Sequence, residues 1–204
     1  TLAALVLATA ACSDDNNSPS SNAQVRVVHG SPDAPAVEVL VDNASVLDSV
    51  AYLDASGYLT VPSGTRNVKV NVYGTTTTVI NANVAVAKDA AYTVIATNVV
   101  ASIEPLVLTD DLTAPAAGNI KLRLVHGGPS VGLVDIYITA PGADITGLTP
   151  NLSDVDFKQN SGYLEVAAGD YQVRITPAGT KTVAIDTGAL TLAAGQIRTA
   201  IAVE

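Results

Sequence analysis

Val25-Arg26-Val27-Val28-His29-Gly30-Ser31-Pro32 returns in the second half of the chain as Leu122-Arg123-Leu124-Val125-His126-Gly127-Gly128-Pro129. The correspondence continues beyond these octets. Ser56-Gly57-Tyr58-Leu59-Thr60-Val61 matches Ser161-Gly162-Tyr163-Leu164-Glu165-Val166, and Val68-Lys69-Val70 matches Val173-Arg174-Ile175. Val84-Ala85-Val86-Ala87 matches Leu190-Thr191-Leu192-Ala193. The order is preserved throughout. The offset grows from 97 to 105 where the second copy carries a longer loop, around Pro141 to Asp154, and is 106 at the last match. This is a tandem duplication, and it makes the fold a question about one unit used twice.

Within each copy the apolar residues alternate. Val68, Val70 and Val72 are interleaved with Asn67, Lys69 and Asn71, the period of a β-strand. Gln24 to His29, Ala36 to Val41, Gly57 to Val61, Val84 to Ala87 and Tyr92 to Thr97 are short, rich in Val, Thr and Tyr, and separated by Gly, Pro, Asn and Asp. Past the first residues no stretch has a long helical period. About seven short strands in a unit of roughly 90 residues predict an antiparallel β-sandwich. The chain is therefore expected to be all-β: residues 23–112 as one sandwich and 118–204 as another, two beads joined by the Leu112-Thr113-Ala114-Pro115-Ala116-Ala117-Gly118 connection.

The residues VRVVHGSPDAPAVEVLVDN, then Tyr52, then Ser56-Gly57-Tyr58-Leu59-x-Val61 and Gly64, resemble the domain of unknown function 4397 family. The second copy keeps Arg123, His126, Pro129, Val134-Asp135-Ile136-Tyr137, Phe157 and Tyr163-Leu164, and has Ser130-Val131-Gly132 in place of the Asp-Ala-Pro turn. The resemblance implies an exported or cell-envelope bacterial protein of Ig-like or transthyretin-like build. It implies no established activity, and so no catalytic residues.

Leu2 to Ala11 read LAALVLATAA and stop at Cys12. Ten helical residues span about 15 Å, half a bilayer core, so the run suits the apolar part of a secretory signal rather than a membrane span. It carries no preceding Lys or Arg, as expected of a signal whose charged start lies upstream of Thr1. Thr9-Ala10-Ala11-Cys12 resembles a bacterial lipobox, although Thr9 stands where Leu is usual. The expectation is a signal over residues 1–11, lipidation of Cys12, and a flexible polar spacer, SDDNNSPSSN, to residue 22. Such an anchor would hold the protein on a membrane outside the cytoplasm, at the outer membrane or cell surface.

The 204 residues carry a formal charge of −9, and neither copy has a basic stripe, which excludes a nucleic-acid partner. Hydrophobic residues at 48% and charged ones at 14% exclude disorder over most of the length. One cysteine forms neither an internal disulfide nor a Cys-based zinc site.

His29 and His126 are the only histidines, at equivalent places on the same face as Val25 and Val27, and Leu122 and Leu124. They are expected to be structural polar core residues, each bonding its following turn. Ser31, Pro32 and Asp33 form a turn that could serve as a binding loop. Arg26 and Arg123 are expected to face outward and pair weakly with Glu38 or Asp135. Tyr58 and Tyr163 read as packed tyrosines with their hydroxyls bonded to a loop. Asp110-Asp111 at the junction is a weak candidate for a bridging cation, and Asp154-x-Asp156 a fragment of a calcium loop without its later ligands. No Gly-x-Ser-x-Gly elbow and no phosphate loop occurs, so no catalytic, cofactor or metal site is expected. The leading functional expectation is a non-enzymatic envelope lipoprotein binding an envelope protein or glycan. The alternatives are a surface-layer or filament subunit assembling through strand edges, and a carbohydrate-active or hydrolytic enzyme.

Overall fold

The computed structural model describes residues 21–204. The apolar run, Cys12 and the spacer to residue 20 lie outside the described residues. The first unit contains β1 (Asn22–His29), β2 (Val37–Val41), β3 (Ala44–Val50), β4 (Leu59–Pro62), β5 (Gly64–Val72), β6 (Thr78–Val86), β7 (Ala91–Thr97) and β8 (Glu104–Asp110). They form two four-stranded sheets in the orders β4-β1-β7-β8 and β3-β2-β5-β6. The second contains β9 (Asn119–His126), β10 (Val134–Thr139), β11 (Leu152–Val155), β12 (Asn160–Ala167), β13 (Gly169–Pro177), β14 (Ile185–Asp186), β15 (Leu190–Leu192) and β16 (Ile197–Ala202). Its sheets run β12-β9-β16 and β11-β10-β13-β14, with β15 also on β13. The chain is all-β and built as two sandwiches.

Inside each sandwich the alternation holds. Val27, Val37, Val39, Val70 and Ile80 pack together in the first unit. Ile120, Leu122, Leu124, Val134, Ile136, Val173 and Ile175 do so in the second. These are mostly β-branched side chains, which suit a pleated, half-buried surface. Each one buried contributes about 1.5–3 kcal/mol.

Three features differ from the sequence reading. The sheets are not wholly antiparallel. β1 pairs in parallel with β7, from Gln24↔Ala91 to His29↔Ala96, and β9 with β16, from Lys121↔Ile197 to His126↔Ala202. A two-residue period is the same for either strand direction, so it could not reveal this. Next, β3 and β8 lie outside the segments whose patterning predicts strands. Finally, the units are not beads in a row. Ile95, Leu108 and Val125 form one buried cluster with Val28, Leu106 and Ile201, drawing on both units. β7 is buried along its whole length because one face lines its own sandwich and the other meets the second unit.

The two copies are not equal. β8 pairs with β7 over Thr97↔Glu104 to Ala91↔Asp110 and approaches β6, closing the first sandwich on that side. Among the described residues no strand pairs with the corresponding edge of β16. The long β6 of the first unit is replaced by the short β14 and β15.

The His-Gly turn must pass close to the neighbouring strand. A methyl on Gly127 would sit 3.0 Å from Cγ2 of Ile201 and 3.1 Å from the backbone oxygen of Ala202. At the equivalent Gly30 the distances to Ile95 Cγ2 and the Ala96 oxygen are 3.1 and 3.3 Å. We therefore expect Gly127→Ala to cost about 1–3 kcal/mol by overpacking, measured by urea unfolding, and more than Gly30→Ala. Gly147→Ala, with open space around its Cβ, should be close to neutral.

Candidate functional site

The densest polar site lies between the units, on Asp110 at the end of β8. Its side chain has no exposed surface. Arg123, on the outward face of β9, donates from Nη2 to Asp110 Oδ1 at 2.5 Å and from Nη1 to the Thr109 carbonyl at 3.0 Å. Thr93 of β7 donates to Asp110 Oδ2 at 2.6 Å, and the Tyr58 hydroxyl donates to the same oxygen at 2.7 Å. The Tyr163 hydroxyl reaches Oδ1 at 3.4 Å. Arg26 Nη2 bonds Thr93 Oγ1 at 2.8 Å and lies 3.9 Å from the carboxylate. Each arginine also covers the tyrosine of its own unit, Arg26 over Tyr58 at 5.0 Å and Arg123 over Tyr163 at 4.7 Å.

The two arginines therefore do face away from their own cores, as the alternation required, but not into water. They meet Asp110 rather than Glu38 or Asp135. The tyrosine hydroxyls bond the same carboxylate rather than a loop. Burial, then the hydrogen bond to Asp110 and its charge, push the Tyr58 phenol up to about 12. Asp111 is occupied by Lys121 Nζ at 2.6 Å and by Thr113. Those bonds, Lys121 first, hold its carboxyl far below the usual range. Both junction carboxylates are thus bridged by the protein's own cations.

Equivalent residues meet across the interface in pairs. Arg26 and Arg123 share one carboxylate. Thr97 Oγ1 bonds the Gly127 carbonyl at 3.4 Å, while Val203, which stands in the place of Thr97, packs on Gly30. The faces of the two first sheets are thus opposed about an approximate two-fold axis. β8 breaks that symmetry. Beside Arg123, Leu106, Leu108 and Asp110 of β8 fill the interface. Beside Arg26 there is instead a cavity of about 200 Å³, walled by Val28, Leu53, Thr199, Ile201 and Val203. The Arg26 side chain keeps 25% of its surface exposed there, against 3% for Arg123. A second cleft, of about 250 Å³, lies inside the second sandwich between β16 and the β14–β15 wall.

His29 and His126 close β1 and β9. His29 and His126 are buried, and Nε2 of each lies within hydrogen-bond distance of a following carbonyl, Pro35 at 3.1 Å and Gly132 at 2.8 Å. A carbonyl only accepts, so these nitrogens carry the proton. Nδ1 of His126 accepts from Gly128 N–H, whereas Nδ1 of His29 and Oγ of the buried Ser31 have no partner among the described residues. Tyr52 and Phe157 approach the two imidazoles edge-on. Asp33 accepts from the Val100 N–H at 2.7 Å, which ties its turn to a 3-10 turn at Val100–Ser102; Pro32 is half-buried and Asp33 exposed. Within the second unit Glu204 accepts from Ser130; the Tyr52 hydroxyl on the Glu204 carbonyl and Lys158 on Glu104 are further links between the units. Asp156 accepts from Phe157 N–H, and Asp154 N–H donates to Asp135. Among the described residues no three His, Cys, Asp or Glu are grouped to hold a metal ion. Cys12 lies outside the described residues.

Sequence singles out Arg26, Arg123, Tyr58, Tyr163 and Asp110 one by one, but neither their convergence nor Thr93. The signal of that convergence was an arginine repeated at an outward position of both copies, each followed by a tyrosine, with two aspartates at the junction.

The chain belongs to the family described as Domain of unknown function (DUF4397), which matches residues 23–137 and again 139–204, two tandem copies. No curated protein matches the chain. Among solved structures it is similar to one from work on alpha-glucan binding by a streptococcal virulence factor, with 11% identity, a TM-score of 0.28, and coverage of 86% of this chain and 92% of that one. A second comes from work on alpha-glucan recognition by family 41 carbohydrate-binding modules of streptococcal virulence factors, with 14% identity, a TM-score of 0.28, and coverage of 86% and 93%. Likenesses so distant carry no inference about ligand.

Removing Asp110 leaves Arg123 buried without a counter-charge. Asp110→Asn should cost about 3–5 kcal/mol in urea unfolding, and Arg123→Ala a similar amount. Combining Asp110→Leu with Arg123→Met should cost much less than the two single changes added together, since no charge is then stranded.

Tyr58 gives a pH prediction. Its phenol is raised from the ordinary value near 10 to about 12, so its stabilising contribution is complete below pH 10. That contribution is lost as pH rises from 10 through 12, where the unfolded chain ionises first. Tyr58→Phe should lower stability at pH 7 by about 1.5–3 kcal/mol and flatten the fall above pH 10, both read from melts across pH 8–11.

Proposed function

We propose that this chain is a non-enzymatic binding protein of a bacterial cell envelope, anchored outside the cytoplasm by a lipid on Cys12 and displaying its two sandwiches as one fixed pair. One observation carries the binding reading: the titratable side chains that could do chemistry are consumed in building. His29 and His126 are buried and bonded to loop carbonyls, and Asp110 is enclosed by Arg123, Thr93 and Tyr58. His29 borders the inter-unit cavity and Asp110 a cleft at the junction, and the hydrogen bonds named above hold both in place. What remains open is shape: the inter-unit cavity, the aliphatic cleft of the second sandwich, and the end where Asp33 is displayed. These suit an envelope protein or glycan.

The anchor is supported by the apolar run ending in small residues before the only cysteine and by the polar tract that follows. A diacyl attachment, unlike a single chain, would hold the pair durably at a membrane. The test is expression of the full precursor in a bacterial host fed radiolabelled palmitate. Label should appear on the protein and sediment with membranes, and Cys12→Ala should lose both. A Cys12→Ala protein that stays equally membrane-bound overturns the anchor.

A further inference from the structure

The first sandwich holds a void of about 60 Å³ between its two sheets, walled almost wholly by aliphatic side chains. Pro105 of β8 belongs to the wall on one side of the sandwich, and Val46 of β3 and Leu59 of β4 on the other. All of the wall comes from residues 25–105, so the void lies wholly within the first unit and away from β16. The duplication shows where it comes from. Val25, Val27, Val39, Val41 and Val70 of the wall are matched in the second copy by Leu122, Leu124, Ile136, Ile138 and Ile175. The strand registers agree: Val39 pairs with Val70 and Val41 with Val68, as Ile136 pairs with Ile175 and Ile138 with Val173. Each of these valines is one methylene shorter than its counterpart. In the other direction, Val94 of the wall is larger than its counterpart Ala200. Strands of the same pairing hold the longer side chains, so the backbone does not require the short ones. Protein interiors pack to the density of organic crystals, and side chains around a void forfeit contacts on that side.

One charged residue, Arg66, stands in this wall. On β5 it has the inward parity of Val68 and Val70. Its guanidinium donates from Nη1 to Asp42 Oδ2 at 3.0 Å and from Nη2 to the Ser63 carbonyl at 2.6 Å. The side chain is 28% exposed, so it stands between the void and solvent. Nε, by contrast, is buried and has no partner among the described residues. In the second copy the same place is taken by Tyr171, whose hydroxyl donates to the Ala167 carbonyl. The charge of Arg66 is already answered by Asp42. What Nε lacks is therefore a neutral acceptor rather than a second anion, and a buried N–H left unpaired is costly. A molecule that sets an oxygen against Nε and its carbon chain among the valines meets both deficits. At about 30 Å³ for a water-sized group, the void takes about two of them. Entry requires Arg66 to swing off Asp42, and both partners of that ion pair are partly exposed, which makes it a weak latch.

We propose that the first sandwich is a binding site for a small neutral amphiphile, with one acceptor oxygen for Nε of Arg66 and an aliphatic tail of about two or three carbons in the void left by the shortened valines. The apolar wall supplies affinity and the single donor fixes orientation. This assigns a ligand class to a binding protein without resting on the lipid anchor, whose labelling test can fail independently.

The probe is butanone, titrated into methyl-labelled protein of residues 21–204, which hold both sandwiches. We expect saturable shifts of the Val27, Val39 and Val70 methyl resonances, with half-saturation at about 1–10 mM. Val27→Leu with Val70→Ile, which installs the second copy's residues, should weaken binding at least about tenfold and leave the melting temperature unchanged or raised. Either change alone serves where the pair disturbs folding. Arg66→Lys keeps a cation for Asp42 and removes the Nε donor. It should weaken butanone by about tenfold to a hundredfold while xenon, which needs no hydrogen bond, shifts the same methyls as before. No saturable shift at about 100 mM butanone overturns the proposal, as does binding unchanged in the filled variant. Equal loss of butanone and xenon in Arg66→Lys overturns the role given to Nε.

Discussion

The carboxylate of Asp110 is shut away from water, and an isolated charge in that position would cost several kcal/mol. It is tolerated because Arg123, Thr93 and Tyr58 supply short hydrogen bonds to it and Arg26 adds a second nearby positive charge. Those partners come from distant parts of the chain, and from both units. The charge can therefore be satisfied only when the two first sheets are face to face in one register. Apolar contacts among Ile95, Leu108 and Val125 supply area, but aliphatic surfaces slide over one another at little cost. The buried ion group is directional, and we attribute the fixed mating of the units to it rather than to the greasy cluster beside it.

The duplication explains why both faces fit. A face that repeats in two copies can oppose itself about a two-fold axis, as in a symmetric dimer, and here the two copies lie on one chain. One side of that axis holds β8, and its Leu108 and Asp110 fill the joint. The other side holds no equivalent strand among the described residues, and there the joint has a void with a partly exposed guanidinium. The filled and the open sides of the joint thus differ by the presence of β8 on one of them among the described residues.

Much of the frame was legible in the sequence. The period of two around Val68 to Val72 and the shared face of Val25, Val27 and His29 follow from local chemistry, and the copy of each in the second half guards against chance. The roles of His29 and His126 as buried donors to their own turns follow the same logic. What escaped was set by pairing between distant residues. Parallel pairing of β1 with β7 leaves no trace in periodicity. β8 contains Pro105, tolerated because it lies on an edge strand, and it sits beside the unit boundary, where its alternation is easily taken for a connection.

The arginines show the deeper reason. At Arg26 and Arg123 the pattern correctly said outward, and outward was then equated with solvent. That step holds only for a unit that stands alone. In a tandem protein the outward face of one copy is also the natural docking face of the other, and a charged residue repeated at the middle of such a face then signals a buried partner rather than a wet surface. The same reasoning turns Asp110-Asp111 from a loose acidic pair into the complement of Arg123 and Lys121. Repeated outward charges in duplicated domains should accordingly be weighed against acids at the junction before they are assigned to water.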